Sequence, residues 1–203
     1  MIRNLKSIYF LIKRRLNLLH ILWKRWKYFI RPNYSKLRLK LIICHKYPLF
    51  NQLTLCEGSG IVEIGDMCMF GYKLGGFNSN GTIELQARSK DARVRIGNNV
   101  LTNNNIFICA ENYISIGDDT LIGQNVVIMD HEAHGTNPTE RRKLGEIGNV
   151  IIGKNVWIGN SVTILKNTEI GENSIVATGA VVAGKFPANV IIGGVPAKII
   201  KTL

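Results

Sequence analysis

The first 56 residues contain no aspartate or glutamate, against thirteen lysines and arginines. Glu57 is the first acid, and residues 57–203 hold fourteen acids against thirteen bases, so the net charge of +12 belongs to one segment. A uniformly basic protein is excluded; the chain reads as a near-neutral domain carrying a basic arm. Cysteine is scarce as well. Cys44, Cys56, Cys68 and Cys109 stand singly with no C-x-x-C pair, which excludes the usual zinc patterns and a disulfide framework and points to a reducing cytoplasm. Five prolines accompany twenty glycines without a Gly-X-Y period, so collagen is excluded and many tight corners are implied. No uncharged run approaches the ~18–20 residues that span a bilayer, because Lys13-Arg14-Arg15 breaks the apolar stretch early. The run Ile8–Ile12 is too short for a cleavable signal. With 46% hydrophobic and 20% charged residues, the 203-residue chain is globular, with room for one buried domain and an appendage.

What is present in residues 1–50 is a helical pattern. Leu5, Ile8, Tyr9, Ile12, Leu16, Leu19, Trp23, Trp26 and Ile30 recur mostly every three or four residues, with Arg3, Lys6, Lys13, Lys24, Lys27 and Arg31 mostly between them. Pro32 ends the helix or starts a turn. Such a helix can pack on the domain or on a neighbouring subunit, or lie in a lipid interface. Two of only three tryptophans stand beside Lys24, Arg25 and Lys27, which favours peripheral membrane contact through residues 1–31. No nucleic-acid motif accompanies these bases, so nucleic acid is not an expected partner.

The rest of the chain keeps a six-residue beat. Ile152, Ile158, Ile164, Ile170, Val176 and Val182 stand six apart without a slip, and Ile116, Ile122 and Ile128 repeat the spacing earlier. Glycine follows in Ile152-Gly153, Ile158-Gly159 and Ile170-Gly171; fainter turns show at Ile64-Gly65 and Ile96-Gly97. Six fits neither the 3.6 period of a helix nor a hairpin array. It fits a solenoid in which short strands end at corners and each aliphatic stacks on its counterpart one coil away.

These segments resemble the hexapeptide-repeat acyltransferases, over roughly residues 58–201. The resemblance implies an all-β left-handed parallel β-helix for residues 51–203, preceded by the basic amphipathic helical arm of residues 1–50. It also implies a homotrimer with active sites between neighbours.

The beat fails between Ile128 and Ile152, so a loop of about residues 129–149 is expected to be extruded. It carries Asp130-His131-Glu132-Ala133-His134. In the sugar O-acetyltransferases that this sequence resembles, one histidine of this loop is the base that takes the proton of a sugar hydroxyl. The spacing matches aspartate-x-aspartate-x-histidine with Glu132 in the second acidic place, which makes His134 the candidate base and His131 its reserve. The resemblance carries the acceptor contacts to Asn103 and Glu111, where the family usually has aspartate at the second. Asn103 can equally belong to an asparagine ladder along a corner. The acetyl-CoA contacts carry over to Trp157, Asn160, Thr178, Ala183, Lys198 and Lys201, and Trp157 is also expected to pack beneath the extruded loop. The two lysines stand where the family often has arginine, which keeps the charge and loses bidentate phosphate binding. No metal is expected, because the zinc enzymes of this fold use three coil-borne histidines and only two lie in this region.

The sequence therefore reads as a cytoplasmic acetyl-CoA-dependent O-acetyltransferase of a sugar hydroxyl, in surface polysaccharide biosynthesis at the inner face of a membrane. Amino-sugar N-acetylation and a non-catalytic trimeric scaffold are the alternatives. A serine-acetyltransferase-like activity ranks below them, because the helical domain of that group is longer and more acidic than this arm.

Overall fold

A computed structural model describes the backbone of residues 2–203 and the side chains from Lys13 onward. The expected apolar positions Leu5, Ile8, Tyr9 and Ile12 have their side chains outside the described residues. From Ile42 the chain winds through six full coils and the start of a seventh, forming three parallel sheets of seven, eight and six strands. The first face runs from Ile42–Cys44 to Lys185–Phe186 and the second from Leu49–Phe50 to Val190–Gly194. The third runs from Thr54–Gly58 to Val181–Val182. The eighth strand of the second face is Ala197–Thr202, which folds back antiparallel on Val190–Gly194.

The six-residue beat is one inward position per face. Ile96, Ile116, Ile152 and Ile170 stack in register on the first face, and Ile122, Ile158, Val176 and Ile192 on the second. Leu85, Ile108, Ile128, Ile164 and Val182 do so on the third. All are buried, and each such side chain contributes roughly 1.5–3 kcal/mol through its burial. Corners recur at left-handed residues: Asn99, Asp119, Asn155, Asn173 and Asn189 all have φ between 54° and 60°. The Asn155 amide donates to Asn173 Oδ1 at 2.9 Å, and that of Asn173 donates to Asn189 Oδ1 at 3.2 Å.

The beat is fainter toward the N-terminus for a structural reason. The third-face strand is two residues long at Thr163–Ile164 but five at Ile106–Ala110. The earlier coils are lengthened to match, which shifts the period. Two segments are extruded. Residues 130–148 leave the corner between third and first faces, and residues 71–82, which the repeat did not reveal, leave the corner between second and third.

The arm is a helix, Ile2–Arg25, continued by a π-helical turn, Trp26–Ile30. Its root closes the open end of the solenoid. Phe29 stacks on Phe50 at 4.3 Å, and Phe50 on Phe70 at 5.6 Å. Buried Asn33 donates to the carbonyls of Phe29 and Thr54 and accepts from the Cys56 amide. The first coil takes in residues 42–50, which the charge distribution had assigned to the arm. The reason is that Ile42 and Phe50 point inward there, in register with Val62 and Phe70.

Candidate active site

The expected site residues fall at two different corners of the coil. Asn103, Asn160 and Thr178 belong to the second-to-third corner, with Trp157 on the adjoining second face. Glu111, His131, His134 and Ala183 belong to the third-to-first corner. Within one chain Glu111 therefore shares the corner of the loop histidines, whereas Asn103 does not. The coil turns a full side of the triangle between them.

At the second-to-third corner a cavity of about 430 Å³ opens onto the second face, bordered by Tyr72, Asn103, Gly123, Trp157 and Asn160. Its floor is an outward ladder in which Leu101, Leu121 and Trp157 pair in register. Trp157 is 55% exposed here, so it does not pack beneath the extruded loop of its own chain. Strand alternation points its neighbour Ile158 inward and Trp157 out. The polar run Thr102–Asn105 divides its labour. Thr102 points inward, and Asn103 Oδ1 accepts from the Asn104 amide at the edge of the cavity. Buried Asn104 donates to the Tyr72 and Gly76 carbonyls and so ties down the 71–82 segment. Asn105 alone enters a ladder, to Asn125 at 3.0 Å.

Gly123, Gly159, Ala177 and Gly193 stack along this corner, each of the first three donating its amide to the coil above. A Cβ on Gly159 would stand 2.7 Å from the Thr178 nitrogen, so the stacking of one coil on the next requires glycine at this corner. Lys198 lies opposite Gly193, and Lys201 opposite Ile191.

At the other corner the loop holds two histidines in opposite settings. Asp130 is fully buried and accepts from the Glu111 amide at 2.8 Å, the Asn112 amide at 2.9 Å and His131 Nδ1 at 2.9 Å. The His131 side chain is 0% exposed, and Arg88 Nη1 lies 3.3 Å from its Nε2. Guanidinium only donates, so Nε2 accepts and the imidazole is the Nδ1–H tautomer. Asp130 stood in the sequence motif as its first acid without a role of its own, and Arg88 had no signal. His134 is exposed, and its Nδ1 faces the Arg141 carbonyl at 2.8 Å. A carbonyl only accepts, so Nδ1 carries the proton and the lone pair of Nε2 is free. Among the described residues no group of three or more His, Cys, Asp or Glu could hold a metal ion.

Two family models match the coils: bacterial transferase hexapeptide (six repeats) over residues 149–184, and hexapeptide repeat of succinyl-transferase over residues 113–136. A putative lipopolysaccharide biosynthesis O-acetyl transferase of Escherichia coli is 38% identical over 136 residues, covering 62% of this chain and 68% of that protein. The galactoside O-acetyltransferase of Escherichia coli is 36% identical over 119 residues, 57% of each chain. A hexapeptide-repeat acetyltransferase of Vibrio cholerae, crystallised with acetyl coenzyme A, matches with a TM-score of 0.51 at 25% identity. The match covers 84% of this chain and 75% of that one.

The fold and its loop thus define a hexapeptide-repeat transferase of the left-handed β-helix class. The chain belongs to the hexapeptide-repeat acyltransferase family.

Proposed function

We propose that the chain is an acetyl-CoA-dependent O-acetyltransferase acting on a sugar hydroxyl, with His134 as general base. The observation that carries the reading is the exposed His134 imidazole, its Nδ1 proton held by the Arg141 carbonyl and its Nε2 lone pair open. His131, the reserve candidate, has both nitrogens engaged in a buried network, and we assign it to holding the root of the loop. Asn103 and Glu111 are assigned to the acceptor.

The residues present fit the donor. Acetyl-CoA supplies an activated thioester acetyl group. Trp157, Asn160 and Thr178 border or adjoin the small-residue corner where backbone groups can meet an amide-rich arm, Ala183 adds a small position at the loop corner, and Lys198 and Lys201 offer cations to phosphates. His134 accepts the hydroxyl proton while that oxygen adds to the acetyl carbon; the C–S bond then breaks, leaving an acetate ester and a thiolate that takes the proton back from His134. Backbone N–H groups of the corner suit the developing oxyanion.

The two corners become one site when a second copy turns its His134 loop toward the cavity, which is why a homotrimer belongs to this reading. The outward positions of the third face support it. Leu55, Phe107, Val127 and Val181 are apolar and only half-buried in a single chain, with Glu84 and Thr163 between them, whereas the first face mixes Ile43 and Ile151 with the charged Glu63, Arg95, Glu169 and Lys185.

The name of the lipopolysaccharide relative supports a role in surface polysaccharide biosynthesis, which we assign to the cytoplasmic face of a membrane. The four cysteines are free, which suits a reducing compartment. No helix among the described residues is long and apolar enough to cross a membrane. The arm instead leaves Leu16, Leu19, Trp23 and Trp26 about half exposed on one stripe, with Lys27 over the Trp23 ring and Arg31 over that of Trp26. Such a helix lies in an anionic interface.

Titration calorimetry with acetyl-CoA, with oligomer mass recorded on the same sample, tests the reading. Binding by a trimer, retained in His134→Ala while transfer to a panel of sugars is lost, is the expected result. A folded trimer that does not bind acetyl-CoA overturns it.

A further inference from the structure

The cavity on the second face does not end at Met69. The outward ladder continues from Leu101 to Met69 and on to Leu49, in register. Leu49 in turn borders a second cleft, of about 120 Å³, between the arm helix and the first coil. The two cavities share a wall, because Tyr72 lines the first and the next residue, Lys73, lines the second. At ~4.8 Å per strand, Leu49 and Leu101 are about 10 Å apart along the face.

The cleft is cationic in a way that the protein itself does not neutralise. Lys24 and Lys73 meet in it, with His20 alongside. Lys24 Nζ donates to Asn51 Oδ1 at 2.6 Å. Among the described residues neither lysine pairs with a carboxylate, although Lys46, Lys143, Lys154, Lys166 and Lys185 all do. Partial burial first, and the neighbouring Lys73 charge second, hold the Lys24 amine below the ordinary lysine range. Two like charges brought together at a partly desolvated place are stabilised by a bound anion. The remaining walls are apolar, formed by Ile21, Leu49 and Phe50.

We propose that the Lys24–Lys73 cleft is a phosphate site, and that the acceptor is a glycosyl phosphate or diphosphate whose sugar lies beside Asn103 while its phosphate lies between the two lysines. This rests on the assignment of Asn103, at the edge of the second-face cavity, to the acceptor sugar, and it names the substrate class. The distance along the ladder suits a sugar and the phosphate linked to it. A lipid-linked and a nucleotide-linked sugar share this chemistry.

The test uses the full chain saturated with coenzyme A, so that Lys198 and Lys201 are occupied, and titrates inorganic pyrophosphate. The intact chain is expected to bind it, and Lys24→Gln/Lys73→Gln to bind at least tenfold more weakly, with acetyl-CoA affinity unchanged in both. Lys73→Gln alone, on the exposed 71–82 segment, gives the same direction of change should the double variant fail to fold. Equal pyrophosphate affinity in variant and intact chain overturns the proposal, as does an intact chain that binds acetyl-CoA but no pyrophosphate. An intact chain that binds neither overturns the acyl-transfer reading instead. Farnesyl diphosphate and uridine diphosphate separate the sources. Tighter binding of the first, lost in the variant, assigns the site to a lipid-linked glycan; tighter binding of the second assigns it to a nucleotide sugar; equal binding of all three assigns it to the phosphate alone.

Discussion

Root and crest of the extruded loop carry the same side chain three residues apart and put it to opposite uses. At the root, His131 is sealed between the Asp130 carboxylate and the Arg88 guanidinium. At the crest, His134 is exposed and only its Nδ1 is engaged, by the Arg141 carbonyl. Both are Nδ1–H tautomers, so tautomer does not distinguish them; access does. A solenoid that ejects eighteen or so residues must anchor the exit, and the Asp130 carboxylate does so by accepting from two backbone amides of the preceding coil. The crest, freed from that duty, is left to meet a substrate.

The sharpest way to break this contrast is His134→Ala. It is expected to lower turnover by ~10²–10⁴-fold, the usual worth of a general base, with acetyl-CoA affinity and melting temperature unchanged. A rate within threefold of the intact chain sinks the assignment of the base. Asp130→Ala should do the reverse: loss of about 3–5 kcal/mol of stability in urea unfolding, because two amides and an imidazole lose their buried acceptor. His131→Ala is expected to cost about 1–3 kcal/mol by leaving the carboxylate short of a donor. If His131→Ala left stability intact and abolished turnover, root and crest would exchange roles.

On the arm, Leu19→Glu/Trp23→Glu should abolish co-sedimentation with anionic vesicles without changing acetyl-CoA binding, since both side chains are half exposed and off the coil. Full co-sedimentation of that variant overturns peripheral attachment. The smallest expected effect is on pH. Lys166 and Asn167 donate to Glu146 at the return of the loop, and the Lys166 hydrogen bond holds the carboxyl below its usual range. A lowered carboxyl contributes stability above its unfolded value and loses it as pH falls through the folded one. Glu146→Gln should therefore lower stability slightly at neutral pH and converge with the intact chain once the carboxyl is protonated, which flattens the acid limb. An identical acid limb in both chains removes the ion pair as a support of the loop.

Much of the coil was legible before any coordinates. The beat from Ile152 to Val182 maps one aliphatic to each face in turn, because a solenoid makes every coil repeat the same inward position and so writes its period into the chain. The extruded loop was legible for the same reason, as a gap in the beat. Residues 71–82 escaped notice because the coils around them are lengthened by longer third-face strands, which blurs the very rhythm that an insertion interrupts. Trp157 was misplaced because an alternating strand sends it out where proximity to the loop in sequence suggested that it packs beneath it.

What the sequence by itself determined is whatever depends on repetition and on charge along the chain: the solenoid, its insertion at 130–148, the segregated basic arm and the family. The tertiary structure alone decided which residues face one another across the coils. It separated Asn103 from Glu111 by a corner, sealed one histidine and exposed the other, plugged the end of the solenoid with Phe29, and brought Lys24 to Lys73 across 49 positions of sequence. The physical reason is that a repeat specifies a residue's height and face in the coil. Contacts between an appendage and a coil, or between two extruded segments, have no period from which to be read.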